Sequence, residues 1–353
     1  MRANVDPNSE FIFELQVCQW AERSWPPGRE RARPVLLARQ LGTQRRRWDT
    51  IIVECDPDAL RKRSRFGRKR LDSDLLDVLR YAPEKWEWYR DTLPDPGYPW
   101  RYVRESIHRA GDRGILETRT RGNRLQIRRR WEYPDWVDRI VVIENKLDFD
   151  ASAARVLSEQ VQRDIALGLA DEVWVATATS RERFERALLE DIPVEAGILL
   201  VDGTDSDVVW QPRSLSPAAP GTRIEERPER GDHDASAARF SYVGPDWKRE
   251  KRLAIAERAY ERGFRSYVDT MRPDCRHFEL RDVPVGFLPY CGAKMCHQAG
   301  SECHGGCPDY EPEPPAWRTR GWPIEGGPGA AIKRLLDRQR LRTRPESGVD
   351  TDG

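Results

Sequence analysis

The stretch that decides the fold is Ile140-Val141-Val142-Ile143-Glu144-Asn145-Lys146-Leu147. Its four consecutive β-branched residues predict a strand that is buried on both faces, as in the middle of an α/β sheet. Alternate residues of a strand share a face, so Glu144 and Lys146 point to one side and Asn145 to the other. The strand therefore ends in a carboxylate and an ammonium that form either a chemical site or a simple salt bridge.

A second buried strand is predicted upstream, at Ile51-Ile52-Val53. Asp49 stands just before it, and the turn-forming residues Asp56-Pro57-Asp58 end it. Asp49 is therefore the acid that would meet Glu144 if the two strands are neighbours. Glu54 and Asp56 are alternatives if a site forms at the other end of the strand.

Elements of alternating type surround the two strands. Residues 10–24 predict an amphipathic helix that carries Glu14, and residues 34–41 are either a short strand or a helical turn. After Lys146 the pattern reads helix (150–170), strand (171–179), helix (181–190) and strand (196–202). Such alternation predicts parallel pairing and an α/β sheet.

The long interval between the two strands, residues 58–132, has its own pattern. Helices are predicted at 71–83, 83–93 and 99–114, followed by a β-hairpin at 115–130. Helices followed by a basic hairpin are typical of a winged helix, which serves either DNA or protein contacts. The candidate phosphate-binding residues are Arg101, Arg104, His108 and Arg109 on the third helix, and Arg119, Arg121, Arg124, Arg128 and Arg129 on the hairpin.

The C-terminal part contains five of the seven cysteines. Clustered cysteines favour metal binding over disulfides if the chain is cytoplasmic, and four thiolates suffice for Zn²⁺ or a [4Fe–4S] cluster. The predicted ligands are Cys275, Cys291, Cys303 and Cys307, with Cys296 as a spare and His277, His297 and His304 as possible substitutes. The frame of these cysteines resembles small Cys-rich modules, and because all five follow the predicted core, a separate zinc-type module is preferred over a cluster.

Length and composition bound the rest of the organisation. The 353 residues are 38% hydrophobic with net charge +1, and neither a membrane-spanning run nor a signal-peptide core is visible, so we expect a cytoplasmic protein. The expected parts are a core formed by 10–57 and 133–202, an insertion at 58–132, a linker at 203–240, a helix and Cys-rich module at 244–326, and a short helix with a disordered tail at 327–353.

The order of Asp49, Glu144 and Lys146 resembles the restriction-endonuclease-like superfamily, which is named for its PD-(D/E)XK signature. The resemblance implies a mixed sheet flanked by helices, in which Asp49 and Glu144 hold Mg²⁺ or Mn²⁺ and Lys146 serves the nucleophile. Gln160 matches the glutamine of RecB-like members, and Glu14 is either their first-helix acid or an ordinary surface acid. RecB-like members that carry an iron–sulfur cluster have cysteines on both sides of the core, unlike this chain.

A literal Pro134-Asp135 precedes Glu144, but nine residues of strand would separate the two carboxylates by about 30 Å. Asp138 fails for the same reason, at about 20 Å.

The segments WDTIIVECDP, DPGYPWRYVRE and IENK also resemble an uncharacterised protein family of halophilic archaea. The expected function is metal-dependent DNA hydrolysis; the alternative is a non-catalytic nucleic-acid-binding or regulatory protein, with a protein partner or homodimer possible.

Overall fold

The computed structural model describes residues 10–30, 32–179, 186–203, 205–226, 239–268, 271–283, 286–300, 302–304 and 306–312. The predicted short helix and tail at 327–353 lie outside these residues, as does the first half of the helix predicted at 181–190. Among the described residues, no helix has both the length and the apolar character needed to cross a bilayer.

The described helices and strands follow the predicted alternation. The helices are α1 (Glu10–Ser24), α2 (Pro57–Ser64), α3 (Ser73–Tyr81), α4 (Tyr89–Thr92), α5 (Trp100–Asp112), α6 (Ala151–Leu167) and α7 (Pro245–Arg262), with 3₁₀ helices at Arg186–Asp191 and Phe264–Val268. The strands are β1 (Val35–Gly42), β2 (Arg47–Cys55), β3 (Glu87–Trp88), β4 (Leu116–Arg121), β5 (Arg124–Arg129), β6 (Val137–Lys146), β7 (Glu172–Thr177), β8 (Gly197–Asp202), β9 (Asp205–Trp210), β10 (Gly221–Glu226), β11 (Arg239–Val243), β12 (Phe278–Val283), β13 (Gly286–Cys291) and β14 (Cys296–His297).

A mixed six-stranded sheet forms the centre, in the order β1-β2-β6-β7-β8-β9. The strands β1, β2 and β6 pair antiparallel, β6, β7 and β8 pair parallel, and β9 closes the edge antiparallel. The prediction that the stretch before Lys146 is an interior strand is confirmed. The segment 34–41, which the sequence left open, is strand β1.

Helices cover both faces of the sheet. Ile52, Val141 and Ile143 point toward α1, whereas Ile51 and Val142 pack in the core that also holds residues of α6 and α7. This alternation follows the two-residue period of a strand. Helix α1 is buried over most of its circumference, with Gln16 and Gln19 half-buried, because Leu288 and Ala299 pack against it as well as the sheet face.

The insertion folds around its own apolar core. Its elements run α3, β3, α4, α5, β4 and β5, and its small sheet has the order β3-β5-β4. The helix predicted at 83–93 is wrong in its first half, where Glu87–Trp88 forms strand β3 beside β5. Pairing with β5 and stacking of hairpin arginines on Trp86 and Trp88 outweigh the local helical pattern.

The segment 203–240 is more ordered than the predicted linker. Strand β9 extends the central sheet, and β10 pairs with β11 to form a hairpin. Only 204 and 227–238 of this segment lie outside the described residues. Strands therefore occupy much of a segment whose Ser, Pro and Gly content suggested a linker.

Helix α7 joins the insertion to the central sheet. Its Glu257 is fully buried and accepts two hydrogen bonds from Arg63, at 2.5 Å each, and one from the Leu71 backbone N–H at 2.7 Å. The Tyr133 hydroxyl donates to the same carboxylate at 2.8 Å. One carboxylate on α7 thus fixes three points of the chain at the borders of the insertion.

Candidate active site

An open cleft of about 590 Å³ lies where β2 begins and β6 ends. Asp49, Asn145 and Lys146 line it from the two strands, while Glu14 comes from α1 and Gln40 from β1. Neighbouring antiparallel strands bring the start of one beside the end of the other, which is why residues almost a hundred positions apart meet here. His297, Ala299, Gly300 and Glu302 of the Cys-rich part form another part of the wall.

Asp49 is held by hydrogen bonds to both carboxylate oxygens. Its Oδ2 accepts the backbone N–H of Asn145 at 3.0 Å, and its Oδ1 accepts the Gln40 side-chain amide at 3.0 Å. The same Gln40 amide donates to Glu14 Oε1 at 2.9 Å. Each carboxylate oxygen has a second lone pair, so Asp49 keeps acceptor capacity toward the cleft.

Gln40 is a site residue that the sequence did not reveal. It has φ 51°, in the left-handed region that non-glycine residues rarely adopt. Such a conformation costs on the order of 1 kcal/mol or more and is concentrated at functional sites. Here it places one amide between the carboxylates of Asp49 and Glu14.

Glu14 is buried, so its interpretation as an ordinary surface acid is wrong. Only 6% of the residue is exposed, and Arg39 donates to its Oε2 at 2.5 Å. Burial raises the pKa of Glu14 to about 7 despite the opposing charge of Arg39, and the Asp49 carboxylate raises it further. A carboxyl group with a displaced pKa in a cleft is typical of functional sites.

Glu144 faces away from the cleft and is paired with Arg46. Arg46 Nη2 donates to Glu144 Oε1 at 2.5 Å, and the same guanidinium binds Asp164 of α6 at 2.6 and 2.7 Å. Burial raises the pKa of Glu144 to about 8, and the nearby Asp49 charge raises it further. Burial likewise raises the pKa of Asp164. Arg46 is thus a shared cation for two buried acids.

Lys146 reaches the cleft and is partly exposed. Its Nζ lies 3.6 Å from Glu10 Oε1, at the start of α1. Among the described residues, Lys146 and Glu144 form salt bridges with different partners and not with each other. The alternative of a simple salt bridge between the two is therefore wrong.

Gln160 lies on α6, and its side-chain oxygen is buried without a hydrogen-bond partner. Leaving a buried acceptor unpaired costs about 1 to 3 kcal/mol. Asp164 follows it by one helical turn, and that spacing on α6 is the signal that could have identified Asp164 in the sequence. Arg46 gave no comparable signal, because arginine is abundant throughout the chain.

The alternative acids have structural partners elsewhere. Glu54 accepts a hydrogen bond from Trp25 Nε1 at 2.9 Å, and Asp56 caps α2 by accepting the Ala59 N–H at 2.8 Å. Asp138 pairs with Arg33 at 2.9 Å, whereas Asp135 is exposed. These four acids lie toward the end of β2 or the beginning of β6, away from Lys146.

The predicted phosphate-binding residues remain on the surface of the insertion. Those that are exposed are Arg101, Arg104, His108, Arg109, Arg119, Arg121 and Arg124, while Arg128 and Arg129 are half-buried. Arg109 pairs with Asp72 at 2.8 Å, and Arg128 pairs with Glu117. Arg124 stacks on Trp88, with its guanidinium carbon 4.7 Å from the ring centroid. Arg104 and Arg121 form no salt bridge within the described part of the chain.

The four predicted metal-binding cysteines line one small cavity of about 20 Å³ beside β13. Cys275 and Cys291 are buried, Cys303 and Cys307 are half-buried, and the spare Cys296 is exposed. His304 lines the same cavity, whereas His297 lines the cleft. All seven cysteines are free thiols.

Within the described residues, no three His, Cys, Asp or Glu side chains stand close enough together to hold a metal ion as they are. This finding covers both the acids around the cleft and the cysteine cavity. The magnesium and zinc assignments therefore stay predictions.

Residues 36–312 match the profile of a Family of unknown function (DUF5787). The chain belongs to this family. No curated protein and no solved structure matches the chain. Membership in DUF5787 thus covers the sheet, the insertion and the Cys-rich part as one unit, and it assigns no activity to them.

Proposed function

We propose that this DUF5787 member is a restriction-endonuclease-like nuclease that hydrolyses DNA phosphodiester bonds with Mg²⁺ or Mn²⁺. The order α1, β1, β2, β6, α6, β7 supports the proposal, because these elements form a mixed sheet flanked by helices, which is what the resemblance implies. The insertion merely lengthens the connection between β2 and β6.

The observation that carries the proposal is that Asp49 and Lys146 line the same open cleft from adjacent strands. A carboxylate can hold a divalent cation, and a nearby ammonium can stabilise charge that develops on a phosphate, so this pair suits hydrolysis of a phosphodiester. Glu14, joined to Asp49 through Gln40, supplies a second carboxyl group. Mg²⁺ prefers one or two carboxylates with waters completing its coordination, so this donor set has suitable chemistry.

Each residue has a distinct task in this proposal. Asp49 and Glu14 would hold the cation through their remaining lone pairs. Lys146 would orient the attacking water and stabilise charge that develops on the phosphate. When bound, the cation supplies charge neutralisation at the phosphate and activates water.

Glu144 would bind the cation together with Asp49 only if its ion pair with Arg46 breaks, or if its carboxylate contacts Arg46 and the cation at the same time. Because the Glu144 carboxylate is buried and neutralised by Arg46, it serves first to fix the end of β6. Gln160, whose buried oxygen has no described partner, would position groups near this end of the sheet.

A cleavage assay on linear, nicked and branched DNA with Mg²⁺ or Mn²⁺ tests the proposal. Asp49→Asn and Lys146→Ala should each lower the rate by at least about a hundredfold, since each removes a group that acts on the reacting phosphate. Asp135→Asn, which changes the exposed literal Pro-Asp, is the matched control and should cleave normally. Equal activity of Lys146→Ala and the unmodified protein would contradict the mechanism.

The insertion supports DNA as the substrate class. Its helices, followed by the basic β4–β5 hairpin, support the winged-helix interpretation. Exposed arginines on α5 and on the β4–β5 hairpin offer phosphate contacts that do not read sequence. We expect these contacts to anchor a duplex.

The Arg46–Glu144 pair favours a second candidate, a non-catalytic nucleic-acid-binding protein. In that case Arg46 has permanently replaced a metal at Glu144, and the fold serves binding alone. Duplex binding by the unmodified protein with no cleavage under any divalent cation would favour this candidate. Cleavage that Asp49→Asn abolishes would exclude it.

A further inference from the structure

We propose that Cys275, Cys291, Cys303 and Cys307 bind one structural Zn²⁺, and that this ion holds part of the wall of the candidate active-site cleft. The proposal does not depend on the nuclease activity. It assigns a metal ion to the Cys-rich part and explains why that part lies beside the cleft: the ion would stabilise the cleft wall.

The first support is convergence. The four cysteines come from three separate stretches of chain, yet all line one cavity of about 20 Å³. They are free thiols, and Cys296, only five residues after Cys291, points outward instead. Four cysteines around a single cavity, with a fifth excluded from it, match the Cys₄ donor set of structural zinc sites.

The second support is the size of the cavity. A void of about 10 to 15 Å³ admits one water-sized particle. The cavity of about 20 Å³ therefore suits one ion rather than a cluster of four irons and four sulfides. Zinc fits both this size and a preference for thiolate sulfur.

Zinc binding would draw the sulfurs inward, because Zn–S bonds are about 2.3 Å long. Two of the ligands lie outside the helices and strands. Cys303 and Cys307 lie in turns, in which their backbone N–H groups donate to Ala299 at 3.2 Å and to His304 at 3.0 Å. Phe278 and its neighbours in β12 and β13 provide the firmer side of the cavity.

The turn that carries Cys303 also reaches the cleft. Ala299, Gly300 and Glu302 line the cleft, and Cys303 follows directly. The Ala299 N–H donates to Glu302 Oε2 at 2.9 Å, and the Ala299 carbonyl accepts the Cys303 N–H. A metal bond at Cys303 would therefore fix this part of the cleft wall.

Metal analysis of the purified full-length protein tests the inference. We expect about one zinc per chain, as one Cys₄ site requires. Cys275→Ser and Cys303→Ser should each lose most of that zinc, whereas Cys296→Ser, the matched control, should keep it. Cobalt substitution should give the intense near-ultraviolet sulfur-to-cobalt absorption of a thiolate site in the unmodified protein and in Cys296→Ser.

Three results would overturn the inference. Iron with acid-labile sulfide would identify a cluster instead of zinc. Protein that is folded and metal-free, with all five C-terminal thiols reactive, would show reduced structural thiols. Equal zinc loss in Cys296→Ser and Cys303→Ser would refute the ligand set. Since zinc content is measured without DNA, failure of the nuclease proposal would leave these results unchanged.

Discussion

Arg46 Nη2 lies 2.5 Å from Glu144 Oε1, and the same guanidinium holds Asp164 on the facing helix. One buried cation thus balances two buried carboxylates on the side of the sheet opposite α1. Removing one partner of a buried ion pair is costly because the remaining charge is left uncompensated. The stability of this end of β6 therefore depends on Arg46.

Arg46→Met should lower the free energy of unfolding by about 3 to 5 kcal/mol at pH 8. The loss should be smaller at pH 5, because Glu144 and Asp164 can then take up protons. Urea unfolding at the two pH values measures both effects. Arg45→Met, at the exposed neighbouring position, is the control; it removes one hydrogen bond to the Ile224 carbonyl at 3.2 Å and should cost about 1 kcal/mol or less. A loss that is equal at both pH values would contradict the assignment.

Glu14 should make stability fall as pH rises. Because burial raises its pKa from 4.5 to about 7, the folded state holds an extra proton between those values. Its contribution is therefore present at low pH and is lost as pH rises through 7, which amounts to about 3 kcal/mol. Glu14→Gln should flatten the stability profile between pH 5 and 8 by that amount. If urea unfolding showed the same pH dependence of the free energy of unfolding in Glu14→Gln and the unmodified protein, the burial argument would be contradicted.

Gln160→Met should affect DNA cleavage and stability in opposite ways. The change removes a buried acceptor that has no described partner and keeps the volume similar, so the free energy of unfolding should stay equal or rise by about 1 kcal/mol. If Gln160 positions groups for cleavage, DNA hydrolysis should nevertheless fall. Thermal unfolding and a cleavage assay on the same sample check both expectations. Gln162→Met, at an exposed position of the same helix, should alter neither.

Glu257→Gln should destabilise the connection between the insertion and the central sheet. It leaves the fully buried Arg63 without a counter-ion, which costs about 3 to 5 kcal/mol. Glu261→Gln changes an exposed acid one turn later on α7 and should cost less than about 1 kcal/mol. Hydrogen exchange should show faster opening of α3 and α5 in the first variant only. Equal effects of the two changes would show that the buried pair is not a structural anchor.

Arg104→Ala combined with Arg121→Ala should weaken duplex binding equally for all sequences. Each lost phosphate contact reduces the slope of log K against log salt by about 1, so the double change should reduce it by about 2. Fluorescence anisotropy at several salt concentrations measures the slope. Arg249→Ala combined with Arg213→Ala, at two exposed positions outside the insertion, is the charge-matched control. No change in slope would favour a protein contact for the insertion.

Hydrophobic period and residue type predicted the central sheet well. The strand before Lys146, the helix over residues 10–24 and the parallel pairing beyond β6 are confirmed, because these segments have strong and unambiguous patterns. Short elements were predicted poorly. Strand β3 depends on β5, which follows much later in the chain, and local sequence does not reveal this pairing. Strands β9 and β10 pair with the neighbouring strands β8 and β11, but they lie in a segment whose Ser, Pro and Gly content suggested a linker.

The candidate site was predicted only in part. Asp49 and Lys146 line one cleft because β2 and β6 are antiparallel neighbours. The two aliphatic runs predicted the strands themselves but not their relative direction or register. The orientation of the Glu144 side chain, away from the cleft, was missed. It depends on Arg46, which extends from the β1–β2 turn and binds both Glu144 and Asp164 of α6. Gln40 was missed because its left-handed backbone is a tertiary feature with no sequence signal.

The insertion leaves the sheet at Cys55 and returns at Val137, two residues that pair with each other. Asp49 lies six residues back along β2, so at about 3.3 Å per residue the cleft and the point of insertion are separated by about 20 Å. That span equals about six base pairs at 3.4 Å each. Under the nuclease proposal, a duplex anchored on the insertion would therefore have to extend from the far end of β2 to the cleft, and cleavage would fall outside the anchored base pairs.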